Sequence, residues 1–180
     1  SSQGLLLSQA LVAEGIHVLV YDTAAMDQAK HIFAVETGLS SDPEMNWRLS
    51  QLDKYTLVSN SDAHSFWPWR LGREATIFEF DELSYYNIIK AIRSGEGFVG
   101  TIETPPAYGK YHWDGHRNCD FNCSPRETRE LNGKCPKCGI ELTIGVDYRV
   151  EELAKEPEGY RPENAKNFYH LIPLHELISV

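Results

Sequence analysis

The stretch that decides the fold is YTLVSNSDAHS, residues 55–65. Its first four residues, which end at Val58, predict a short β-strand, and the polar residues that follow predict the loop where the strand ends. Asp62 and His64 lie in this loop, two residues apart. A carboxylate and an imidazole at a strand end can be directed at one ion, and the pair suits zinc, iron or manganese. The alternative is an ordinary turn in which Asp62 makes an Asx hydrogen bond.

Helix and strand signals alternate around this stretch, which is typical of an α/β fold. Residues 32–38, IFAVETG, predict a strand that ends near Glu36. Residues 81–95, DELSYYNIIKAIRSG, predict a helix with Asp81 or Ser84 as its N-cap. Glu36, at the end of the first of these strands, could share an ion with Asp62 and His64, or its side chain could simply be solvated.

The composition is that of a globular protein, with 42% hydrophobic and 24% charged residues among 180. No apolar run approaches the roughly 18 residues of a membrane span, and the N-terminus lacks the features of a signal peptide. We therefore expect a cytoplasmic protein without a membrane partner. The net charge of −9 argues against a protein that coats DNA through a basic face. It leaves room for a nucleic-acid enzyme, because metal ions can supply positive charge.

All four cysteines lie in one short segment. Cys135 and Cys138 form a Cys-x-x-Cys pattern followed by glycine, which is typical of a zinc knuckle. Cys119 and Cys123 are the expected partners, and His116 is an alternative to Cys123. The sequence thus predicts a structural zinc held by four cysteines, or by three cysteines and a histidine. The alternative is a set of reduced, buried thiols.

Two further groups of residues are candidates for contact with a ligand. Arg70 and Arg73 lie in an aromatic loop, where they could clamp a phosphate or stack on tryptophans as scaffolding. Lys110 and Trp113 lie in YGKYHWDGHR, residues 108–117, whose aromatic side chains could stack on bases or pack around the zinc. The chain has no Walker A loop and no Gly-x-Ser-x-Gly elbow, and its first helix–strand unit has no dinucleotide fingerprint.

From about Ile32 onward the sequence resembles endonuclease Q, a family of DNA-repair nucleases built on a PHP (polymerase and histidinol phosphatase) domain. The resemblance is carried by AVETGLSSDPEMNWRLSQLDKYTLVSNSDAHS, LGREA, GTIETPPAYGKYHWDGHRNC, CPKCGIELTIGVDYRVEELA and GYRPENAKNFYHLIPLHELI. It implies a metal-binding (β/α)7 barrel, a zinc finger and a helical C-terminal part. Members nick DNA on the 5′ side of uracil, hypoxanthine, xanthine and abasic sites, so the implied partner is DNA with such lesions.

The resemblance implies a partial PHP-type barrel with parallel strands over residues 31–104, a zinc-finger segment over 105–150 and a truncated helical tail over 151–180. It implies that Asp62 and His64 are the Asp-x-His motif of the PHP site, which holds a divalent zinc, manganese or magnesium ion.

The chain has no His-x-His, the motif with which PHP metal sites begin. We therefore expect most PHP ligands to be missing and the chain to be inactive by itself. The alternative function is a non-catalytic, zinc-stabilised module that binds nucleic acid.

Residues 1–30 resemble a different family, the UDP-glucose dehydrogenases, in the C-terminal domain that binds the nucleotide sugar. The resemblance rests on SQGLLL, ALVAEG and VLVYD, with Thr23 where the pattern usually has proline. It implies a Rossmann-like helix–strand unit and a junction near Lys30 between two unrelated fragments. Convergent helix–strand patterning is the alternative. A dehydrogenase relic would bind UDP-glucose, but the catalytic cysteine segment and the NAD domain of that family are absent from the sequence.

Overall fold

A computed structural model describes residues 32–178 of the chain. The Rossmann-like unit predicted for residues 1–30 lies outside the described residues. The strands are β1 (Ala34–Glu36), β2 (Thr56–Val58), β3 (Ala75–Phe78), β4 (Phe98–Glu103), β5 (Asp114–His116), β6 (Phe121–Cys123) and β7 (Asn167–His170). The α-helices are α1 (Pro43–Trp47), α2 (Tyr85–Ser94), α3 (Pro125–Glu130), α4 (Val146–Leu153) and α5 (Leu174–Ile178).

Within this part of the chain the strands form three small sheets. β1 and β2 pair in parallel, β4 lies between antiparallel β3 and parallel β7, and β5 and β6 form an antiparallel hairpin. The prediction of an α/β fold with parallel strands is confirmed. The described strands do not close into a barrel, and the PHP-type barrel remnant stays a prediction.

Helix α2 begins and ends where its sequence signals predict. Ser84, rather than Asp81, is the N-cap, and its hydroxyl accepts a hydrogen bond from the Asn87 N–H at 3.1 Å. Gly95 ends the helix in the left-handed conformation, with φ at 75°, and its N–H donates to the Ala91 carbonyl. None of the described helices is long and apolar enough to cross a membrane.

The carboxyl ends of β1, β2 and β4 meet at the buried side chain of Glu103. One oxygen of its carboxylate accepts hydrogen bonds from the hydroxyls of Thr37 (2.9 Å) and Ser59 (2.8 Å), and the other accepts one from Thr101 (2.6 Å). Thr37 follows β1 and Ser59 follows β2. Glu103 therefore ties together the points at which both strands enter their exit loops.

The region predicted as a truncated helical tail contains strand β7 as well as helix α5 among its described residues, 151–178. Strand β7 pairs with β4 and extends the sheet, and the domain boundary at residue 151 stays a prediction. The pairing depends on Gly100, because a Cβ there would lie 2.2 Å from the backbone carbonyl oxygen of Asn167. The strand is short and its partner is distant in sequence, so local patterning gives little sign of it.

The predicted zinc-finger segment has little hydrophobic core of its own. Its buried cluster consists of Cys123, Cys135 and Leu142, with Cys119 and Phe121 packed against it. Two isolated β-bridges and a capping box at α3 provide additional order. A segment with so few apolar contacts needs another source of stability, and a bound metal ion is the usual one in small domains.

Candidate functional site

A group of four metal-ligating side chains lies at the turn end of the β5–β6 hairpin. The ligand atoms of His116, Cys119, Cys135 and Cys138 all lie within 4.8 Å of one another. His116 Nδ1 is 3.2 Å from the Cys138 Sγ. In a tetrahedral zinc site with Zn–S bonds of about 2.3 Å, neighbouring sulfurs are about 3.8 Å apart. The group therefore fits a structural zinc with three thiolates and one imidazole.

The pKa values of two thiols in this group favour the binding of a cation. Burial would raise the pKa of Cys135, but the backbone N–H groups of Lys137 and Cys138, together with the His116 side chain, outweigh it and lower the pKa to about 6. Hydrogen bonding to Cys138, burial and hydrogen bonding to Cys135 raise the pKa of Cys119 to about 11. The Cys135 thiolate thus forms readily, while the Cys119 thiol keeps its proton until a cation offsets the accumulating charge.

Cys123, predicted as a ligand, lies outside this group, and the alternative with His116 is the set that the structure brings together. In the hairpin register His116 pairs with Phe121 beside the turn, whereas Cys123 pairs with Asp114 at the far end. The Cys123 thiol is 3.2 Å from the Thr128 hydroxyl, which donates to the Asp114 carboxylate at 2.5 Å. Cys123 is therefore a buried structural residue of the segment.

Asp62 and His64 lie together in a groove of about 440 Å³ at the exit of β2. Their side chains are 73% and 83% exposed, and His64 Nδ1 is 3.9 Å from the Asp62 Oδ2. Asp62 adopts a left-handed backbone conformation with φ at 43°, which aspartate tolerates better than most residues. The two side chains can therefore reach one ion at the groove surface.

The tautomer of His64 follows from its hydrogen bond. Nδ1 lies 2.6 Å from the backbone carbonyl of Asp62, which can only accept, so Nδ1 carries the proton. The Nε2 lone pair is left available, as in histidines that bind metals. Within residues 32–178, no further histidine, cysteine or carboxylate joins the pair to make a group of three, and Glu36 remains a separate strand-end residue.

The two predicted phosphate contacts line the same groove but differ in their availability. Arg70 ends a short 3-10 helix, Pro68–Arg70, and its side chain is exposed. Arg73 is half-buried, and its Nε donates to the Glu74 carboxylate at 2.6 Å. Arg73 is therefore held in place by a buried acid, while Arg70 is the exposed cation of the groove.

Lys110 and Trp113 lie in a different loop, which contacts the groove through the segment that contains Leu39 and Ser40. Lys110 Nζ lies over the Tyr111 ring, 5.4 Å from its centroid. Gly109 packs so closely on Ser40 that a Cβ would lie 2.4 Å from its hydroxyl. The neighbouring Leu39 lines the groove of the Asp-x-His pair. One loop thus connects the N-terminal part of the predicted zinc-finger segment with that groove.

No protein-family model matches the sequence. An uncharacterized protein of Methanocaldococcus jannaschii is 38% identical over 154 residues, which are 81% of this chain and 19% of that protein. An uncharacterized protein of Bacillus subtilis is 30% identical over 158 residues, which are 86% of this chain and 37% of that protein.

Two solved structures are similar to this chain in both fold and sequence. The lesion-specific endonuclease PfuEndoQ from Pyrococcus furiosus matches with a TM-score of 0.71 and 35% identity, over 82% of this chain and 37% of that one. An endonuclease Q in complex with a 27-mer duplex substrate, with an abasic lesion at the active site, matches with a TM-score of 0.71 and 34% identity, over 82% of this chain and 38% of that one. The chain belongs to the endonuclease Q family. It spans less than two fifths of each of these endonuclease Q chains.

Sequence reasoning missed Glu103, the residue that anchors the exit loops in this endonuclease Q relative. The available signal is the alternation in β4, where Thr101 and Glu103 lie on one face of a strand whose other members are apolar or small. An acid at such a position is buried, and a buried acid needs donors. Its donors at the ends of β1 and β2 come from distant parts of the chain, which the sequence alone does not bring together.

Proposed function

We propose that this chain is part of a metal-dependent DNA-repair endonuclease that nicks on the 5′ side of deaminated bases or abasic sites. The observation that carries the proposal is the groove that holds Asp62, His64, Arg70 and Arg73 together. Membership of the endonuclease Q family supports it, because one family member holds a duplex with an abasic lesion at its active site. Uracil, hypoxanthine and xanthine are the deaminated bases that the proposal includes.

The proposed roles follow from the chemistry of the side chains. Asp62 and His64 would hold one divalent cation, zinc, manganese or magnesium, through a carboxylate oxygen and Nε2. Such an ion, when bound, supplies an activated water and stabilises charge on phosphate oxygens. Arg70 would pair with a phosphate beside the lesion. Arg73, which is held by Glu74, would keep its guanidinium at a fixed position in the groove.

We further propose that residues 1–180 alone bind damaged DNA but do not cut it. Two exposed ligands hold a divalent ion weakly, because catalytic metal sites in proteins ordinarily have three or more protein ligands. The described residues bring two to the groove. The structural zinc does not compensate, since its four protein ligands leave no open position for water.

An incision assay tests this proposal. The substrates are duplexes with one uracil, hypoxanthine or abasic site, and the buffer contains magnesium or manganese. We expect the chain to bind these duplexes without 5′ incision. Efficient incision that is lost in Asp62→Ala would show that the chain is an active nuclease and would contradict the proposed inactivity. Incision that persists in Asp62→Ala would contradict the role proposed for Asp62.

The second candidate function is a non-catalytic module that binds nucleic acid without regard to lesions. The exposed side chains of Tyr108, Tyr111 and Trp113, next to Lys110, favour it, because aromatic rings beside a cation suit single-stranded bases. This function predicts that Tyr111→Ala weakens binding to damaged and intact DNA equally. The nuclease proposal predicts that Arg70→Ala weakens binding to the damaged duplex more.

A further inference from the structure

Three aromatic side chains form a stacked ladder directly after the Asp-x-His pair. The rings of Phe66 and Trp67 have centroids 5.0 Å apart and an interplanar angle of 29°. Those of Trp67 and Trp69 are also 5.0 Å apart, with an angle of 16°. The ring of His175, in α5, also lies near Trp69, with centroids 5.4 Å apart and an interplanar angle of 43°. Phe66 is thus the ring at one end of the ladder, and Trp69 is the ring at the other.

The open end of the ladder faces solvent beside the groove. Phe66 is 81% exposed, although a phenyl ring is among the side chains most favourably buried. Trp67, the next ring in the ladder, lines the groove that contains Asp62 and His64. The nearly parallel ring planes leave the outer face of Phe66 available to one more flat group.

The charge around the ladder indicates the kind of group. Residues 62–74 carry two arginines and two acids, and Glu74 pairs with Arg73 while Asp62 lines the groove. Arg70 is exposed and shares the groove with Trp67. A flat face beside an exposed cation fits a ligand that is both aromatic and anionic, and a nucleotide is such a ligand.

We propose that the outer face of Phe66 stacks on a nucleobase that a lesion has left unpaired. Arg70 pairs with a phosphate of the same strand or of the complementary strand. This inference rests on the proposed function and adds a recognition element outside the Asp-x-His pair. At an abasic site the base opposite the lesion has lost its partner. Because it makes no base-pair hydrogen bonds, it can leave the helix at a smaller cost, and its face can then stack on an aromatic side chain.

The experiment uses an abasic duplex that carries 2-aminopurine opposite the lesion, because the fluorescence of this base is quenched when it stacks. Fluorescence anisotropy of an end-labelled copy of the duplex measures affinity separately. We expect the full chain to quench 2-aminopurine at saturation. Phe66→Ala should lose this quenching and bind about 5-fold or more weakly, and Phe66→Trp should retain both properties.

The matched control is Tyr85→Ala, which removes an aromatic side chain of similar exposure from α2. It should change neither signal. Equal quenching by Phe66→Ala at saturation would overturn the inference, whatever its affinity. If Phe66→Ala dissociates an oligomer and the quenching does not change, a second copy of the chain occupies the outer face of Phe66. This result would also overturn the inference. No anisotropy change with the unsubstituted chain would reject the inference together with the proposed function.

Discussion

At the scale of single residues, His116 and Cys123 are alternative fourth ligands, and the register of one hairpin selects between them. Both spacings are compatible with a zinc knuckle partner, so the sequence leaves the choice open. The register places His116 beside the turn, near Cys119, and sets Cys123 two positions farther along the strand. At about 3.3 Å per residue, that difference moves a ligand by about 7 Å, more than a tetrahedral site can absorb.

The first prediction concerns zinc content. Cys138→Ser should abolish stoichiometric zinc binding because it removes a thiolate from the group. Cys123→Ser should retain one zinc per chain, because its thiol contacts Thr128 instead. Elemental analysis of the purified variants makes the comparison, and His116→Ala should behave like Cys138→Ser. Zinc that is lost with Cys123→Ser and kept with His116→Ala would reverse our assignment.

The second prediction concerns Glu103 and pH. Burial raises the pKa of its carboxyl, with a smaller contribution from Asp42, against the lowering effect of the hydroxyls of Thr101, Ser59 and Thr37. Because the pKa is higher in the folded state, the folded protein holds this proton more tightly. The stability from protonated Glu103 is complete below the ordinary carboxyl pKa and is lost as pH rises through the folded-state pKa.

Urea unfolding across the range from pH 4 to pH 7 measures this effect. Relative to the unsubstituted chain, Glu103→Gln should gain stability as pH rises, because the glutamine cannot ionise. Glu158→Gln, at an exposed carboxylate, is the matched control and should show no such trend. A stability difference between Glu103→Gln and the parent chain that does not vary with pH would contradict the assignment.

At the scale of elements, the sequence predicts those whose signals are local. Helix α2 carries an N-cap serine and a C-terminal glycine, and both occupy the predicted positions. Strand β7 carries no comparable signal, because its pairing with β4 depends on residues more than sixty positions away. Its short, largely exposed sequence resembles a loop. The sheet that includes β7 therefore appears only when long-range contacts are known.

The third prediction tests that pairing. Gly100→Ala places a Cβ against the backbone oxygen of Asn167, and the two strands must separate to relieve the clash. We expect a loss of about 2–3 kcal/mol in the free energy of unfolding, as for other overpacking substitutions. Hydrogen exchange of residues 167–171 should accelerate at the same time, because their backbone hydrogen bonds to β4 are lost.

Gly159→Ala serves as the control for this substitution. Its φ is 78°, and a Cβ there meets nothing within 4 Å, so the change adds backbone strain without a clash. It should cost about 1 kcal/mol and leave exchange in β7 unchanged. Equal losses in the two variants, with β7 still protected, would show that the close approach at Gly100 does not constrain the sheet.

At the scale of the whole molecule, sequence motifs indicated the family, but they did not give the arrangement of the sites. Asp62-x-His64 and the Cys-x-x-Cys pair are short patterns whose chemistry can be stated from residue types alone. Their spatial relation depends on the loop around Leu39 and Ser40, which contacts the predicted zinc-finger segment at Gly109 and lines the groove. Such contacts between polar loops leave no periodic signal in a sequence.

The most direct test of the central claim is the ratio of dissociation constants for an abasic duplex and an intact duplex of the same sequence, measured by anisotropy at one fixed salt concentration. We predict that the zinc-loaded chain binds the abasic duplex at least about tenfold more tightly, a difference of about 1.4 kcal/mol. Arg70→Ala should reduce this ratio, because its cation lies in the groove. Equal affinity for the two duplexes would contradict the claim that this endonuclease Q relative recognises lesions.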